Sequence, residues 1–517
     1  MMRTIELNVN GCSVTTQISA TDTLLEVLRR LGFIEVKFSC GRGECGVCVV
    51  ELNGRVINAC MTFATSCHRS TIKTARSFGT IQNPGRVQKT ISDYGGVQCG
   101  YCVPGLVTAA ESHLASNPNS SEDDIVRALD GHLCRCTGYV KQRKALKNIT
   151  SRENKKISIN KKAGAVGEPL IKLDALAMAC GNAQYSDDAL PQKVMFIATV
   201  NSTESHARVT DIKAAEALSI AGVFHVITCF DLPPQKPIEG PKLPTSMLGD
   251  NYLLTDKPRY IGDRIAAVLA DSEVIAKRAA KKVRVSYEPL PSAVTVEEAM
   301  AENGPKIGEE GNLVALRQYK RLKATKELKG QEVKAEVKAA IPAARPCFSE
   351  PYSCLTYFDA SQRLVIKSST QVPYFVRWVV SLVCSIPVSR IRVIKPHVGG
   401  GFGAKQDVVV EALCALATLQ TGKAVRYVLD RQAVFRAGRH RHPAKIFLQG
   451  EAKDGVLDKL VMDVTLDKGA YPPHGSSLLL CCASRSLPMY PWREIEFSGR
   501  SVLTNKPSAG GLRGYGG

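Results

Sequence analysis

Eight cysteines of this chain fall into two tight groups, and their spacing is the strongest chemical signal in the sequence. The first group reads C-x4-C-x2-C, with eleven residues before a fourth cysteine. This is the ligand spacing by which plant-type ferredoxins hold a [2Fe–2S] cluster, whereas zinc sites usually come as two short knuckles. The interleaved glycines can adopt left-handed backbone, which brings N–H groups towards sulfur. We therefore predict a [2Fe–2S] cluster on Cys40, Cys45, Cys48 and Cys60.

The second group lies about forty residues later and joins a C-x2-C pair to a C-x-C pair. Its members are Cys99, Cys102, Cys134 and Cys136. Taken alone, this pattern suits either zinc or an iron–sulfur cluster. Because it directly follows a ferredoxin-like segment, we predict a second [2Fe–2S] cluster and hence an electron path through both. The other ten cysteines stand among apolar residues and are expected to be buried small hydrophobes.

Hairpins and a helix are predicted to position the first group. Residues 3–9 and 13–18 read as strands joined at Asn10-Gly11, and a second hairpin turns at Asn53-Gly54. The helix between the hairpins is expected to be capped by Thr21 or Asp22. This gives a β-grasp-like layout over residues 1–79. Residues 80–150 show the apolar period of helices, 151–166 form a polar basic linker, and strands alternate with helices from 167 onwards.

The chain has 517 residues and a net charge of +20, which raises the question of nucleic-acid binding. Much of the excess of Lys and Arg over Asp and Glu lies in residues 141–162 and 317–338. These stretches carry neither interleaved aromatic residues nor a nucleic-acid motif. We expect solvated segments there, or a docking surface for an acidic electron-transfer partner, and no nucleic-acid partner. We expect no signal peptide, because the first residues lack its apolar core, and no membrane span, because no apolar run is long enough. Cysteines clustered for metal binding then favour a cytoplasmic location.

A glycine-rich loop, VGGGFGAK, follows a predicted strand and precedes a predicted helix. Gly399, Gly401 and Ala404 satisfy the G-x-G-x-x-A pattern, and Asp430 ends the next strand, as in a dinucleotide site. Pro396-His397 interrupts the tight turn that such a site needs, and the acid comes late. A dinucleotide site is therefore the weaker interpretation of this loop.

Together the motifs resemble those of the molybdenum hydroxylase family, which includes xanthine oxidase and aldehyde oxidoreductase. The resemblance rests on CGRGECGVC, QCGYCVPG, CRCTGY, SSTQVPYFVR, VGGGFGAK and VLTNKPSAGGLRGYGG. The layout is closest to the flavin-free aldehyde oxidoreductases. It implies a multidomain α+β protein with a β-grasp [2Fe–2S] domain (1–79), a helical-bundle [2Fe–2S] domain (80–150) and a linker (151–166). An α/β domain (167–300) and the first part of a molybdopterin-binding domain (301–517) follow.

The resemblance also implies roles for individual residues around a molybdenum–molybdopterin cofactor. Gln371 would be the hydrogen-bond partner of an oxo ligand of molybdenum, and Arg513 would be brought to the metal. Phe402 would sit against the metal oxygen and the substrate. The residues implied in cofactor binding are Gln98, Cys136, Gly400, Gly401, Phe402, Gly403 and Arg513. His132 stands where the family usually has Asn.

In this family the reaction is hydroxylation with water as the oxygen source. We expect oxidation of aldehydes to carboxylic acids, a cytosine dinucleotide form of the cofactor, and a flavin protein, ferredoxin or flavodoxin as electron acceptor. Gln406 and Cys481 replace the carboxylate and arginine of a purine site, which weakens a purine substrate. The family's general-base glutamate has no counterpart in this chain, so a second subunit or an incomplete product is expected. The alternatives are a subunit of an N-heterocycle hydroxylase and an inactive two-cluster electron-transfer fragment.

Overall fold

The computed structural model describes residues 2–151, 166–167, 170–188, 191, 193–232, 251–322, 328–471 and 477–517. The predicted linker 151–166 lies almost wholly outside these ranges. The chain forms two compact units. The first comprises Met1–Leu190, Cys347–Pro351 and Lys395–Gly400, and the second comprises Pro191–Pro346, Tyr352–Ile394 and Gly401–Gly517.

The first unit begins with a mixed sheet and a short helix. Its strands are β1 (Met2–Val9), β2 (Cys12–Ser19), β3 (Val49–Leu52), β4 (Arg55–Asn58) and β5 (Ser70–Lys73), with helix α1 (Leu24–Arg30) packed on them. The order is β2-β1-β5-β3-β4. Both predicted hairpins are confirmed, and Asn10 and Asn53 take the positive φ that their two-residue turns require. The predicted cap of α1 is wrong: Thr23 caps the helix in a reciprocal pair with Glu26.

Helices follow in the first unit, as the apolar period predicts. They are α2 (Arg86–Asp93), α3 (Val103–Ser116), α4 (Glu122–Ala128), α5 (Tyr139–Thr150) and α6 (Ala175–Ala179). Helix α3 is buried along most of its length and α4 is capped by Ser121. These helices share one apolar core with the second cysteine group and with Cys45 of the first.

The second unit is a mixed α/β structure. Its strands are β6 (Val194–Asn201), β7 (Ala207–Lys213), β8 (Val223–Thr228), β9 (Arg264–Ala270), β10 (Arg284–Pro289), β11 (Leu313–Leu322), β12 (Glu332–Ile341), β13 (Ser353–Phe358), β14 (Leu364–Ser368), β15 (Ile391–Ile394), β16 (Ala424–Val428), β17 (Ala444–Lys453), β18 (Val456–Asp467) and β19 (Glu494–Val502). Its helices are α7 (Ala215–Leu218), α8 (Glu273–Ala280), α9 (Val296–Met300), α10 (Pro373–Cys384), α11 (Glu411–Thr421), α12 (Arg431–Ala437) and α13 (Ser477–Ser486).

The described strands of the second unit form two large sheets. One has the order β15-β14-β13-β16-β6-β9-β8, with α11 packed on β13 and β16. The other has the order β11-β19-β18-β17-β12 and buries one face against α13. Strands β7 and β10 form a separate antiparallel pair. Within the described ranges, no helix combines the length and the apolar character needed to cross a bilayer.

Candidate functional site

The loop of the first cysteine group runs between α1 and β3 and is shaped by three glycines. Gly41, Gly43 and Gly46 have φ values of 62°, 75° and 67°, where a side chain would be strained. This conformation folds the loop back on itself and collects the cysteines. The Cys40 thiol is within hydrogen-bonding reach of Cys45 and Cys60, which in turn reaches Cys48. The geometry therefore brings together all four predicted ligands of the first cluster.

Backbone N–H groups point at these sulfurs. The N–H of Arg42 donates to Sγ of Cys40 at 3.4 Å, and the N–H of Gly43 donates to Cys60. The hydrogen bond from Cys45 lowers the pKa of Cys40 strongly. Such N–H···S bonds stabilise thiolates, the form in which cysteine binds iron. In the described part of the chain, no three His, Cys, Asp or Glu side chains are placed to hold a single metal ion. The four thiols contact one another in the order Cys45, Cys40, Cys60 and Cys48, a donor set that fits a two-iron cluster.

The second cysteine group is also assembled. Cys99 lies against Cys136, and Cys102 lies against Cys134, so each short motif contributes one sulfur to each pair. The hydrogen bond from Cys102 and the N–H of Gly138, 3.5 Å from Sγ, lower the pKa of Cys134 to about 6. These contacts fit a second [2Fe–2S] cluster as well. The ligand roles of all eight cysteines remain predictions.

Gln98 and Cys136, predicted to lie beside the pterin, are neighbours in the structure. The side-chain Nε2 of exposed Gln98 donates to the carbonyl oxygen of Cys136 at 2.9 Å. The exposed face of the second cysteine group therefore presents both residues to whatever binds there.

The two cysteine groups meet through backbone. The N–H of Leu133 donates to the carbonyl oxygen of Cys45 at 3.0 Å. A methyl group on Gly105 of α3 would lie 2.6 Å from the carbonyl oxygen of Gly46, so the helix approaches the loop too closely for a side chain. His132 covers Gly46, donates from Nε2 to the carbonyl oxygen of Gly105, and has its pKa lowered to about 4 by burial.

A buried charged cluster lies next to these groups and was not predicted. Lys37 is 1% exposed and pairs with Asp188, whose carboxylate also accepts from Arg29 at 3.2 Å. The Lys37 ammonium lies 4.6 Å from the ring centroid of Tyr185, which donates its hydroxyl proton to the carbonyl oxygen of Cys99 at 2.7 Å. The only sequence signal was a lysine three residues before the first cysteine ligand.

In the second unit, the glycine loop places Gln371. The N–H of Gly403 donates to Gln371 Oε1 at 3.0 Å, and a methyl group on Gly401 would lie 2.4 Å from the same oxygen. Because Oε1 is held by the backbone, the amide group of Gln371 keeps its N–H donors for another acceptor. Gln371 is exposed, so a bound group can reach these donors. This arrangement fits an oxygen-rich cofactor.

Phe402 and Arg513 are joined directly. The N–H of Arg513 donates to the carbonyl oxygen of Phe402 at 2.7 Å, and Phe402 itself has a φ of 55°. Arg441, which the sequence did not single out, donates from its guanidinium to the carbonyl oxygen of Arg513 at 2.7 Å. The second unit thus brings Gln371, Phe402, Gly401, Gly403 and Arg513 together. Gly400 belongs to the first unit.

Buried polar side chains support the same loop and were also missed. The hydroxyl of Tyr352 donates to the carbonyl oxygen of Ala404 at 2.8 Å, and Lys405, 1% exposed, donates to Ser369 Oγ. Glu411 is buried, which raises its pKa, and it accepts from Ser368 at 2.6 Å. A lysine and a glutamate flanking a glycine loop were visible signals, but their partners lie more than thirty residues away.

A cavity of about 130 Å³ lies in the second unit, between the β17–β18 side of the five-stranded sheet, α13 and the last residues of the chain. Its walls are mainly apolar and include Met462, Leu478, Cys482 and Tyr515. Arg441 is one of its few charged lining residues. The cavity can therefore take a small, uncharged organic molecule.

The structure counts against the dinucleotide interpretation of the glycine loop. Helix α11 begins at Glu411, seven residues after Ala404, rather than at the glycines. Asp430 accepts from the N–H of Ala433 at 2.8 Å and caps α12, so its carboxylate already has a structural role. A dinucleotide pyrophosphate would need the helix N-terminus at the glycines themselves.

Comparison with protein families covers most of the chain in four segments. The matching descriptions are 2Fe-2S iron-sulfur cluster binding domain (7–69), [2Fe-2S] binding domain (74–147), aldehyde oxidase and xanthine dehydrogenase a/b hammerhead domain (180–291), and molybdopterin cofactor-binding domain (308–517). The chain thus contains two [2Fe–2S] domains followed by a molybdopterin-binding domain, in the predicted order.

Several enzymes and enzyme subunits are similar to this chain. The chain is 28% identical to a probable hypoxanthine oxidase of Escherichia coli K12, over 99% of this chain and 58% of that protein. It is 33% identical to a putative xanthine dehydrogenase molybdenum-binding subunit of the same organism, over 67% of this chain and 47% of that protein. The solved aldehyde oxidoreductase of Desulfovibrio gigas matches with a TM-score of 0.91 at 29% identity, covering 100% of this chain and 59% of that one.

The chain therefore spans less than two thirds of the length of these relatives. Within that span, the domain families, their order and the multidomain α+β fold agree with one another. The chain belongs to the molybdenum hydroxylase family.

Proposed function

We propose that this chain forms the iron–sulfur part and one wall of the molybdenum site of an oxidoreductase that converts aldehydes to carboxylic acids with water as the oxygen source. The observation that carries the proposal is the small apolar cavity next to the segment of Arg513. Gln406 and Cys481, both half-buried, lack the opposite charges expected for a purine site. An uncharged aldehyde needs neither charge.

In this proposal, Gln371 and Arg513 hold and polarise the cofactor. When bound, the molybdenum cofactor supplies the oxygen transfer and accepts two electrons. The N–H donors of Gln371, fixed by its bond to Gly403, stabilise negative charge that develops next to them. Phe402 positions Arg513 through the backbone bond described above. The apolar cavity walls exclude water from the substrate.

Electrons would leave through the second cysteine group and then through the first, towards a flavin protein, ferredoxin or flavodoxin. The bond between Gln98 and Cys136 supports a pterin contact on that face. We also propose the cytosine dinucleotide form of the cofactor and a second polypeptide that supplies the general base. We likewise propose that the successive domains end at residues 79, 150 and 300.

A second candidate function is a subunit of an N-heterocycle hydroxylase. The similarity to a xanthine dehydrogenase molybdenum-binding subunit favours it. In that case the substrate would be a purine-like or nicotinate-like ring. A two-cluster electron-transfer protein without activity of its own is the third candidate.

Metal analysis and EPR of the anaerobically purified, dithionite-reduced protein separate these candidates. Two distinct [2Fe–2S] signals with stoichiometric molybdenum are expected for the enzyme, and four irons without molybdenum would indicate the electron-transfer protein. Benzaldehyde and hypoxanthine are then compared as substrates. Turnover of benzaldehyde but not hypoxanthine supports the proposal, and the reverse overturns it in favour of the second candidate.

A matched pair of substitutions tests the substrate class further. Gln406→Glu with Cys481→Arg introduces the two charges that a purine site would use. We expect at least a tenfold loss of kcat/KM for benzaldehyde, because a desolvated charge disfavours an apolar substrate. Gln318→Glu, at an exposed position on β11, is the control and should have no effect.

A further inference from the structure

Glu350 is a buried carboxylate of the first unit that the proposed reaction does not use. Its side chain is 1% exposed. The carboxylate accepts from the N–H of Gly399 at 2.7 Å and from the hydroxyl of Ser186 at 3.0 Å. The N–H of Glu350 donates to the carbonyl oxygen of Gly399 at 3.1 Å. Glu350 therefore holds the backbone of Gly399 with both its main chain and its side chain.

Gly399 is the first glycine of the VGGGFGAK loop, and it lies directly against the ring of Tyr101. Gly399 is buried, and a methyl group there would lie 2.7 Å from Cδ2 of Tyr101 and 2.4 Å from Cβ of Glu350. Both distances are too short for contacts between carbon atoms, so any side chain at this position must displace its neighbours. The position therefore needs glycine because the backbone approaches an aromatic ring.

Tyr101 stands between Cys99 and Cys102, two predicted ligands of the second cluster. Its backbone N–H donates to the sulfur of Cys99. Its hydroxyl donates to the carbonyl oxygen of Phe38 at 2.7 Å, and its ring packs edge-on against Tyr185 with 4.9 Å between the centroids. Because the ring and the N–H belong to one residue, a force that moves the ring also moves the donor to Cys99.

The bond from Tyr101 to Cys99 is of the kind that sets the potential of an iron–sulfur cluster. Hydrogen bonds to the cluster sulfurs are among the main determinants of the reduction potential. A reduced cluster carries one more negative charge than an oxidised one, so an N–H donor stabilises the reduced form more. Weakening this bond should therefore make the midpoint potential more negative.

We propose that Tyr101 is a positioning residue for the second cluster and that Glu350 seats Gly399 against its ring, so that the start of the glycine loop sets the reduction potential of this cluster. This inference rests on the proposed second [2Fe–2S] cluster and is independent of the substrate. A group that displaces Gly399 on binding would change how readily the cluster accepts an electron. Sequence spacing does not reveal this link, because the three residues come from distant parts of the chain.

Redox titration of the anaerobically purified full chain, followed by EPR, measures the potential of each cluster. Cys136→Ser changes one predicted ligand of the second cluster and so identifies the signal of that cluster. In Gly399→Ala the potential of the second cluster should become more negative, while the potential of the first stays as in the wild type. Ser186→Ala removes one partner of Glu350 without a change of charge, and it should cause a smaller shift in the same direction.

A double-mutant comparison tests whether Tyr101 transmits the effect. Tyr101→Ala should itself make the second potential more negative, and adding Gly399→Ala should then cause no further shift, because no ring is left to displace. Tyr101→Phe keeps the ring and should behave like the wild type. Gly11→Ala is the control. It strains a turn of the first unit, but its methyl group would meet no atom within 4 Å, so neither potential should change.

Circular dichroism and an iron content equal to that of the wild type show that a variant is folded and loaded. A folded Gly399→Ala with wild-type potentials overturns the proposal, as do equal shifts of both clusters. The proposal is also wrong if Gly399→Ala causes the same shift in the Tyr101→Ala background. If Gly399→Ala does not fold, the presence or absence of a shift in Ser186→Ala decides.

Failure of this inference can be told apart from failure of the proposed electron path. A wild type with two EPR signals and with potentials insensitive to Gly399→Ala refutes the link through Tyr101 alone. A wild type with a single [2Fe–2S] signal overturns both the link and the path through two clusters.

Discussion

The amide oxygen of Gln371 accepts a hydrogen bond from the backbone N–H of Gly403 at 3.0 Å, across thirty-two residues of chain. The two residues thus fix each other: the loop orients the amide, and the amide holds the loop. The N–H donors of the amide are left for a ligand. This relationship gives two predictions about the proposed molybdenum site.

Gly401→Ala should disable the site by displacing Gln371. The added methyl group would lie 2.4 Å from Oε1, a distance that the amide can relieve only by moving. Displacements of about 1 Å cost on the order of a hundredfold in rate, and we expect that loss in kcat of the cofactor-loaded enzyme. Gly422→Ala is the control for general destabilisation: its φ of 66° strains the added side chain, but the methyl group would meet no atom within 4 Å, so kcat should be unchanged. Unchanged kcat in Gly401→Ala would refute this role of the loop.

Gln371→Glu should keep the loop and remove the donors. The carboxylate can still accept from Gly403, but it has no N–H to offer and adds a negative charge. Loss of one such donor typically lowers kcat by about 10²- to 10³-fold, and KM for the aldehyde should change little. Steady-state kinetics measure both parameters. A change confined to KM would show instead that Gln371 contacts the substrate.

Asp188→Asn should destabilise the first unit more than Lys37→Met does. Asp188 compensates both Lys37 and Arg29. After its neutralisation Arg29 keeps its ion pair with Asp187, but buried Lys37 loses the carboxylate it pairs with, at a cost of about 3–5 kcal/mol. Lys37→Met leaves Asp188 with Arg29 and with the N–H of Tyr185. Urea denaturation followed by the visible absorption of the clusters reports this unit. A larger loss of stability in Lys37→Met than in Asp188→Asn would contradict the conclusion that Asp188 compensates both Lys37 and Arg29.

The second unit should become more stable as pH rises from 7.5 to 8.5. Burial lowers the pKa of Lys468 from 10.5 to about 7, although Asp407 and Asp467 oppose the shift and Arg439 adds to it. The unfolded chain therefore binds a proton in this window that the folded chain has released, so the free energy of unfolding increases with pH. Its Nζ lies 2.6 Å from Nε2 of His442, which can accept from the neutral or charged amine.

Lys468→Met should remove most of this increase. Both tryptophans, Trp378 and Trp492, lie in the second unit, so their fluorescence follows its unfolding by urea. The window stays below the ordinary pKa values of cysteine and tyrosine. The pKa values of buried thiols such as Cys354 and Cys384, and of buried Tyr260 and Tyr471, are raised, and these groups would reverse the trend at higher pH. An equal slope in wild type and variant would assign the pH dependence to other groups.

Local features were predictable from sequence because neighbouring residues determine them. The hairpins at Asn10-Gly11 and Asn53-Gly54 follow from turn residues, and α3 follows from its apolar period. Several capping residues compete before α1, and sequence spacing did not reveal that Thr23 pairs with Glu26. The choice depends on a side-chain geometry that a pattern does not contain.

Contacts between distant parts of the chain were not predictable in this way. Arg441 holds Arg513 across 72 residues, and Lys37 meets Asp188 across 151. The residues Gln371 and Arg513 were selected by resemblance, but their supports depend on how the strands and loops pack. Asp430 was misleading in sequence for the same reason. It matches the acidic position of a dinucleotide pattern, but in the structure its carboxylate caps helix α12.

The junction at Gly46 and Gly105 has a mechanical consequence. The loop of the first cysteine group and helix α3 of the second touch through backbone atoms, and the bond from Leu133 to Cys45 is likewise backbone to backbone. Side-chain mutation elsewhere cannot easily lengthen such contacts. The spacing of the two cysteine groups is thus set by backbone contacts, so the tunnelling distance between clusters held there would stay constant under most side-chain substitutions.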